Sequence, residues 1–299
     1  MTNFKLKSFD ETMLTMYLWD NVENPKGVVQ LVHGMSEYLA RYDEFAKFLN
    51  KQGYIVLGDD HRAHGLTAND EMQIGKVDKN KDIFEYTLKD ELFIIETFKT
   101  KYAKLPYYIF SHSYGSFITQ RLIQKCPFHL NGVILCGSAY LKNTIDTFAG
   151  KVITSLRPKN SHAKLVEKVS FKQYNKKFKT GAWITRNEEI AKKYYLDKYC
   201  NKHFTNGFYH SLFKGMLGNY KKENIKNIPE NLPIFIISGL DDPISKNGKR
   251  TEKLYKMYLK HNMTNVSLKL YKEARHELLN ELNKDEIYND ILIFLNKNI

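Results

Sequence analysis

The 299 residues are 42% apolar or aromatic, with a mean hydropathy of −0.49, three cysteines and a formal net charge of +13. With no run of about 18 apolar residues and no Cys-x-x-Cys, this composition buries a sizeable core in one or two domains; it excludes disorder, a multi-domain array, a disulfide framework, a zinc ribbon and a membrane-spanning helix. The charge is localised: 19 Lys and Arg stand against 6 Asp and Glu between Tyr140 and Lys226, while the rest of the chain carries 27 of each sign.

In chain order, the stretches Phe4 to Phe9 and Met13 to Trp19, separated by Asp10 and Glu11, predict a hairpin. The opening MTNFKLKSFDETMLTM lacks the apolar core of a secretory signal, so a cytoplasmic location is expected. Val28 to Val32 is a β-branched run that predicts a buried strand ending at His33-Gly34. From Arg41 the spacing turns helical, with Tyr42, Phe45, Ala46 and Leu49 on one face and Gly53 at the C-cap position. Tyr54 to Gly58 predicts the next strand, followed by a helix carrying Leu88, Leu92 and Ile95 and by the strand Tyr107 to Phe110. A third helix opens directly after Ser113, and the strand Gly132 to Cys136 follows it.

Strands alternating with helical patterns predict an α/β fold, a mostly parallel central sheet with helices on both faces. The alternation stops after Cys136: residues 138–213 have helical spacing with Lys, Tyr and Phe interleaved and no buried strand. Strands resume at Pro233 to Ser238 and Val266 to Tyr271, and a last helix starts near Asn283 with Ile287, Ile291, Phe294 and Leu295 on one face. The expected organisation is a core of residues 1–137 and 214–299 with a basic helical insertion at 138–213. The lysines Lys164, Lys168, Lys172, Lys176, Lys177 and Lys179 concentrate its charge, which suits contact with something anionic and equally suits a Lys- and Asn-rich compositional bias on a solvated helical face.

Ser111-His112-Ser113-Tyr114-Gly115 follows a strand and precedes a helix, the context in which a tight turn lifts a serine above a sheet edge and aims the helix amides at an oxyanion beside it. A serine hydroxyl needs a histidine to take its proton and an acid to orient that histidine. Asp241 and Asp242 follow one later strand and His276 follows the last, and loops leaving the C-terminal ends of parallel strands converge on one edge. The strand-end His33-Gly34-Met35 supplies a second donor, so the amides of Met35 and Tyr114 are the expected oxyanion hole. Asp59, Asp60, His61 and His64 resemble metal ligands superficially, but they lack the spacing of a helical zinc motif and are expected to form a structural turn.

The segments His33-Gly34-Met35-Ser36-Glu37 through Arg41-Tyr42, Asp60-His61-Arg62-Ala63-His64-Gly65, the Ser113 turn, Gly239 to Pro243 and Ala274 to Glu277 together resemble the monoglyceride lipase and lysophospholipase branch of the α/β-hydrolase family. In the insertion, Trp183 to Arg186 and Thr205 to Phe208 are similar to cap segments of bacterial members. The resemblance implies that Ser113 is the nucleophile, Asp242 the acid and His276 the base, under a helical cap over an acyl-chain pocket. It departs from the family at Ser111 and Ala63, each a small residue where glycine is usual.

The expected activity is hydrolysis of an acyl ester of glycerol or of a lysophospholipid through an acyl-enzyme, without cofactor or metal. The alternatives are a short-acyl esterase, a thioesterase or an aminopeptidase of the same fold, or a non-catalytic protein that binds anionic lipid. The expected partners are a lipid or acyl-ester substrate and, transiently through the cap, an anionic membrane surface. Nucleic acid is not expected, because the aromatics of the insertion read as its own core.

Overall fold

The β-branched and aromatic runs become the strands of one sheet. In the computed structural model, which describes residues 1–78, 81–142, 144–169, 171–178 and 182–299, β1 (Thr2–Lys7) and β2 (Met13–Trp19) form the expected antiparallel hairpin. The other strands are β3 (Gly27–Val32), β4 (Tyr54–Asp60), β5 (Tyr107–His112), β6 (Gly132–Cys136), β7 (Ile234–Gly239) and β8 (Val266–Tyr271). Their order is β1-β2-β4-β3-β5-β6-β7-β8, and every pairing from β4 through β8 is parallel. This is the mostly parallel α/β sheet that the alternating pattern predicts.

Period-two burial divides each central strand between two apolar layers. Tyr107 and Ile109 of β5 point into one layer, and Tyr108 and Phe110 into the other. The first layer is closed by α2 (Ile83–Lys101) and α3 (Tyr114–Leu122), through Leu88, Ile95 and Ile118. The second is closed by α1 (Asp43–Lys51), through Phe45 and Leu49, and by the C-terminal helix, through Ile287, Ile291 and Leu295. The helix expected from Arg41 begins later: Leu39–Tyr42 is a 3-10 turn, held because Asp60 Oδ1 accepts the Leu39 N–H at 2.8 Å. Gly53 takes φ +92°, the left-handed conformation that suits glycine after a helix end.

Between β6 and β7 the chain runs through α4 (Ile145–Ser155), α5 (Lys164–Val169), α6 (Phe171–Lys176), α7 (Glu188–Leu196), α8 (Asn206–Gly218) and α9 (Lys222–Ile225). Thr144, Asn187 and Thr205 cap α4, α7 and α8 by accepting N–H bonds from the first turns. Among the described residues the only β pairing in this stretch is an isolated bridge between His162 and Thr205. α8 runs unbroken across residue 213 and packs against α4, α2 and α3, with Phe208, Tyr209 and Met216 in the first apolar layer. Lys164, Lys168, Lys176 and Lys177 are exposed; Lys179 and the side chain of Lys172 lie outside the described residues.

Two helices complete the chain, α10 (Lys249–Lys260) between β7 and β8 and α11 (Lys284–Lys297) after β8. The apolar pattern did not announce α10: only Leu254 and Tyr258 on its buried face are apolar or aromatic, beside Arg250 and Thr251.

Candidate active site

Ser113 sits between the end of β5 and the start of α3 with φ +50° and ψ −115°, the left-handed region that an L-residue enters at a cost of about 1 to 2 kcal/mol. Close packing enforces the turn. A Cβ on Gly115 would collide with the carbonyl oxygens of Val32 and His33, so only glycine lets α3 approach β3 here. Ser111, where the resembled family has glycine, fits because its buried hydroxyl donates to the Ile134 carbonyl of β6 at 3.0 Å. Ala63, the other departure, takes φ +63°, a conformation that glycine would adopt without strain.

The structure brings Ser113, His276 and Asp242 together. His276 Nε2 lies 2.8 Å from Ser113 Oγ, and its Nδ1 lies 2.9 Å from Asp242 Oδ2. Of the two adjacent carboxylates, Asp242 is the one that reaches the ring. It is fully buried, and its other oxygen accepts the Ile244 N–H at 2.8 Å. Gly239 permits this meeting of loops, because a Cβ there would strike the backbone oxygens of Ala274 and Arg275 just before His276. Burial disfavours a charged His276 ring, but the Asp242 carboxylate, together with Glu277 and Glu37, holds its pKa above the ordinary 6.5.

Met35 and Tyr114 both line the cavity over Ser113. The Gly34 N–H is taken by Glu37 Oε1 at 2.7 Å, which leaves Met35 with the next N–H of that loop. Glu37 is part of an ionic clamp whose residues the sequence motifs contain without revealing their role. Arg41 donates to Glu37 Oε2 at 2.5 Å and forks onto both oxygens of Glu277 at 2.9 and 2.6 Å. Although burial raises it, the Arg41 guanidinium pulls Glu277 down to about 2, so the carboxylate beside His276 is ionised at neutral pH. The clamp ties the Met35 loop to the His276 loop.

Trp183, from the segment before α7, stacks on the His276 ring with centroids 4.8 Å apart. No periodicity marks this contact, because it joins residues from different loops.

The four residues at and after the end of β4 take three arrangements. Asp60 accepts the Leu39 and Leu66 N–H groups at 2.8 and 2.7 Å and the Tyr17 hydroxyl at 3.1 Å, as a turn-forming carboxylate does. His64 packs its ring among Tyr114, Phe204 and Phe208. His61 lies between two buried carboxylates, its Nδ1 3.3 Å from Asp59 and 3.1 Å from Glu91 of α2. Its backbone N–H donates to His33 Nε2 at 2.9 Å, so the neutral His33 ring carries its proton on Nδ1 and donates it to the Gly34 carbonyl at 2.7 Å. These bonds brace the strand end that leads into the Met35 loop.

Above the serine is a cavity of about 870 Å³, with Phe117, Leu141, Ile153, Leu212, Phe213 and Met216 among its apolar walls. These side chains come from α3, the stretch after β6, α4 and α8, so the 138–218 segment supplies most of this apolar lining.

Residues 23–283 match the family described as serine aminopeptidase, S33 (Hydrolase_4). A monoglyceride lipase homolog of monkeypox virus is 24% identical over 289 residues, which cover 95% of this chain and 93% of that protein. The monoglyceride lipase of Rattus norvegicus is 27% identical over 158 residues, about half of each chain (51% and 50%). Among solved structures, a thermostable carboxyl esterase from Bacillus coagulans superposes with a TM-score of 0.89 at 23% identity, covering 99% of this chain and 98% of that one. A soluble variant of the monoglyceride lipase of Saccharomyces cerevisiae gives 0.78 at 19% identity, with 100% and 95% covered. These superpositions establish the fold, the family match spans most of the chain, and the relatives agree with both: the chain is a hydrolase of the α/β-hydrolase family Hydrolase_4, serine aminopeptidase S33, in its monoglyceride lipase-like branch.

Proposed function

We propose that the protein is a serine carboxylester hydrolase that cleaves an acyl ester of glycerol or of a lysophospholipid. The observation that carries this reading is the unbroken chain Asp242, His276, Ser113 at the floor of a large apolar cavity. In the proposed reaction His276 Nε2 takes the Ser113 proton as Oγ attacks the acyl carbonyl. The Met35 and Tyr114 N–H groups, the second at the N-terminus of α3, stabilise the oxyanion. His276 then returns the proton to the leaving alcohol; in the second half it takes a proton from water, which attacks the acyl carbon, and gives that proton to Ser113 Oγ as the carboxylic acid leaves.

The α4–α8 segment acts in this reading as a cap, with residues 138–213 as its expected extent. Its apolar lining suits an acyl chain, and the volume lies within the range of roughly 300 to 1,000 Å³ of small-molecule pockets. An aminopeptidase of the same family would hold the ammonium of its substrate with a carboxylate. Among the described residues, the three acids that line the cavity are already engaged: Glu37 and Glu277 by Arg41, and Glu167 by His162 and His203.

α4 and its C-cap residue turn Phe148, Val152 and Leu156 outward at four-residue spacing, 67%, 40% and 81% exposed. Beside the exposed lysines, this stripe supports transient docking of the cap on an anionic lipid surface. No helix among the described residues is long and apolar enough to cross a membrane.

The experiment is a hydrolysis panel of monoacylglycerols of graded chain length, lysophospholipids, acyl thioesters and aminoacyl amides. Highest kcat/KM on a monoacylglycerol or lysophospholipid is expected. Preference for an aminoacyl amide or an acetyl ester would overturn the substrate assignment.

A further inference from the structure

The α4–α8 segment carries a second cluster of ionisable groups that the proposed reaction does not use. His162 Nε2 lies 2.7 Å and His203 Nδ1 2.8 Å from one and the same oxygen, Glu167 Oε2. His162 lies two residues before the start of α5, Glu167 belongs to α5, and His203 lies in the stretch that enters α8. The other carboxylate oxygen, Oε1, accepts the Phe204 N–H at 3.0 Å, which fixes the rotation of the carboxylate and keeps Oε2 toward both rings. The backbone is braced as well, since the Ala163 N–H donates to the Phe204 carbonyl at 3.0 Å. The two imidazole centroids are 4.2 Å apart, and the three ligand atoms lie within 4.8 Å of one another.

We propose that His162, Glu167 and His203 form a binding site for a divalent transition cation of the zinc class. Two neutral imidazoles and one carboxylate are the donors that such ions prefer, whereas magnesium and calcium prefer oxygen alone. The Phe204 amide acts as the outer-shell group that orients the ligating carboxylate. Glu167 is buried, His162 is partly exposed and the His203 side chain is 68% exposed, so the donors are gathered and open to solvent. A cation displaces the ring N–H protons that face Glu167 Oε2, and the N···O separations of 2.7 and 2.8 Å widen as it enters. Three protein ligands leave a coordination position for water or an anionic group. Glu167 and His203 also line the cavity above Ser113, so the cation fastens α5 to the stretch entering α8 along the cavity wall. The site is independent of the role assigned to Ser113.

The test uses the full chain, freed of metal with a chelator and titrated with Co²⁺ as a spectroscopic probe and then with Zn²⁺ as competitor. The expected result is saturable ligand-field absorption at one cobalt per chain, displaced by zinc and untouched by magnesium or calcium, with a melting temperature that rises with zinc concentration. His203→Ala should weaken cobalt binding by at least about tenfold, as should Glu167→Gln. His203→Cys should add a thiolate-to-cobalt charge-transfer band, a gain that a misfolded chain does not mimic. Glu91→Gln and His276→Ala, which alter the other buried histidine and carboxylate groupings, should leave cobalt binding unchanged. Absence of saturable binding overturns the proposal, as does binding that persists in His203→Ala or that is lost in Glu91→Gln or His276→Ala.

Discussion

Each ring nitrogen of His276 meets a different partner, and this sets how rate should vary with pH. Against the effect of burial, Asp242 with Glu277 and Glu37 raises the pKa of the ring above 6.5, and a general base works only when neutral. The acidic limb of kcat/KM should therefore have its midpoint above 6.5, and Asp242→Asn should move it to lower pH by removing the carboxylate that favours the charged ring. The same variant should lose about 10²-fold to 10⁴-fold in kcat, while Asp241→Asn stays near wild type. pH–rate profiles of the two variants check this, and a larger loss at Asp241 would put the acid one residue earlier.

Arg41 carries a stability prediction. Arg41→Met leaves the buried Glu37 and Glu277 without their counter-charge and should cost about 3 to 5 kcal/mol in urea unfolding. A loss below about 1 kcal/mol would mean that the clamp contributes little. At this scale the serine was legible because it follows a recognisable strand and opens a helix, and the histidine because it lies beyond the last strand at its place in the Ser, Asp, His order. Periodicity could not separate Asp241 from Asp242, and the choice came from the family resemblance. The Arg41 clamp and the Trp183 stack were not legible, since their partners lie far apart in sequence and meet only through the loops the sheet brings together.

Among the elements, α4 carries an outward apolar stripe, and α5 and the end of α6 carry exposed lysines. Reversing Lys164, Lys168, Lys176 and Lys177 to Glu should lower activity on anionic vesicles far more than on a soluble short-chain ester, given roughly 1 kcal/mol per basic residue near such a surface. High salt should erase the difference, because the attraction is screened. Vesicle co-sedimentation and parallel rate assays measure both effects; equal losses on the two substrates would make the lysines structural. The long periodic helices and buried strands were legible to within a few residues. α10 escaped because Lys, Arg and Thr fill half of its positions, and the turn at Leu39–Tyr42 escaped because the distant Asp60 carboxylate holds it. The cluster of His162, Glu167 and His203 escaped for a similar reason: Glu167 and His203 are 36 positions apart in the chain.

For the whole molecule, the parallel sheet gathers the C-terminal ends of β3, β5, β7 and β8 at one edge, so residues from four distant segments face a single cavity. That convergence was legible from strand order alone, but the shape and size of the cavity were not, because the helices between β6 and β7 set them through side-chain packing. The central claim is that Ser113 is the nucleophile of this site. The most direct measurement is labelling of the wild type and Ser113→Ala with a fluorophosphonate, read by mass spectrometry of the peptides alongside circular dichroism. One adduct, on Ser113 and absent from a folded Ser113→Ala, is the predicted result; an adduct on another residue, or labelling that survives the substitution, would contradict the account.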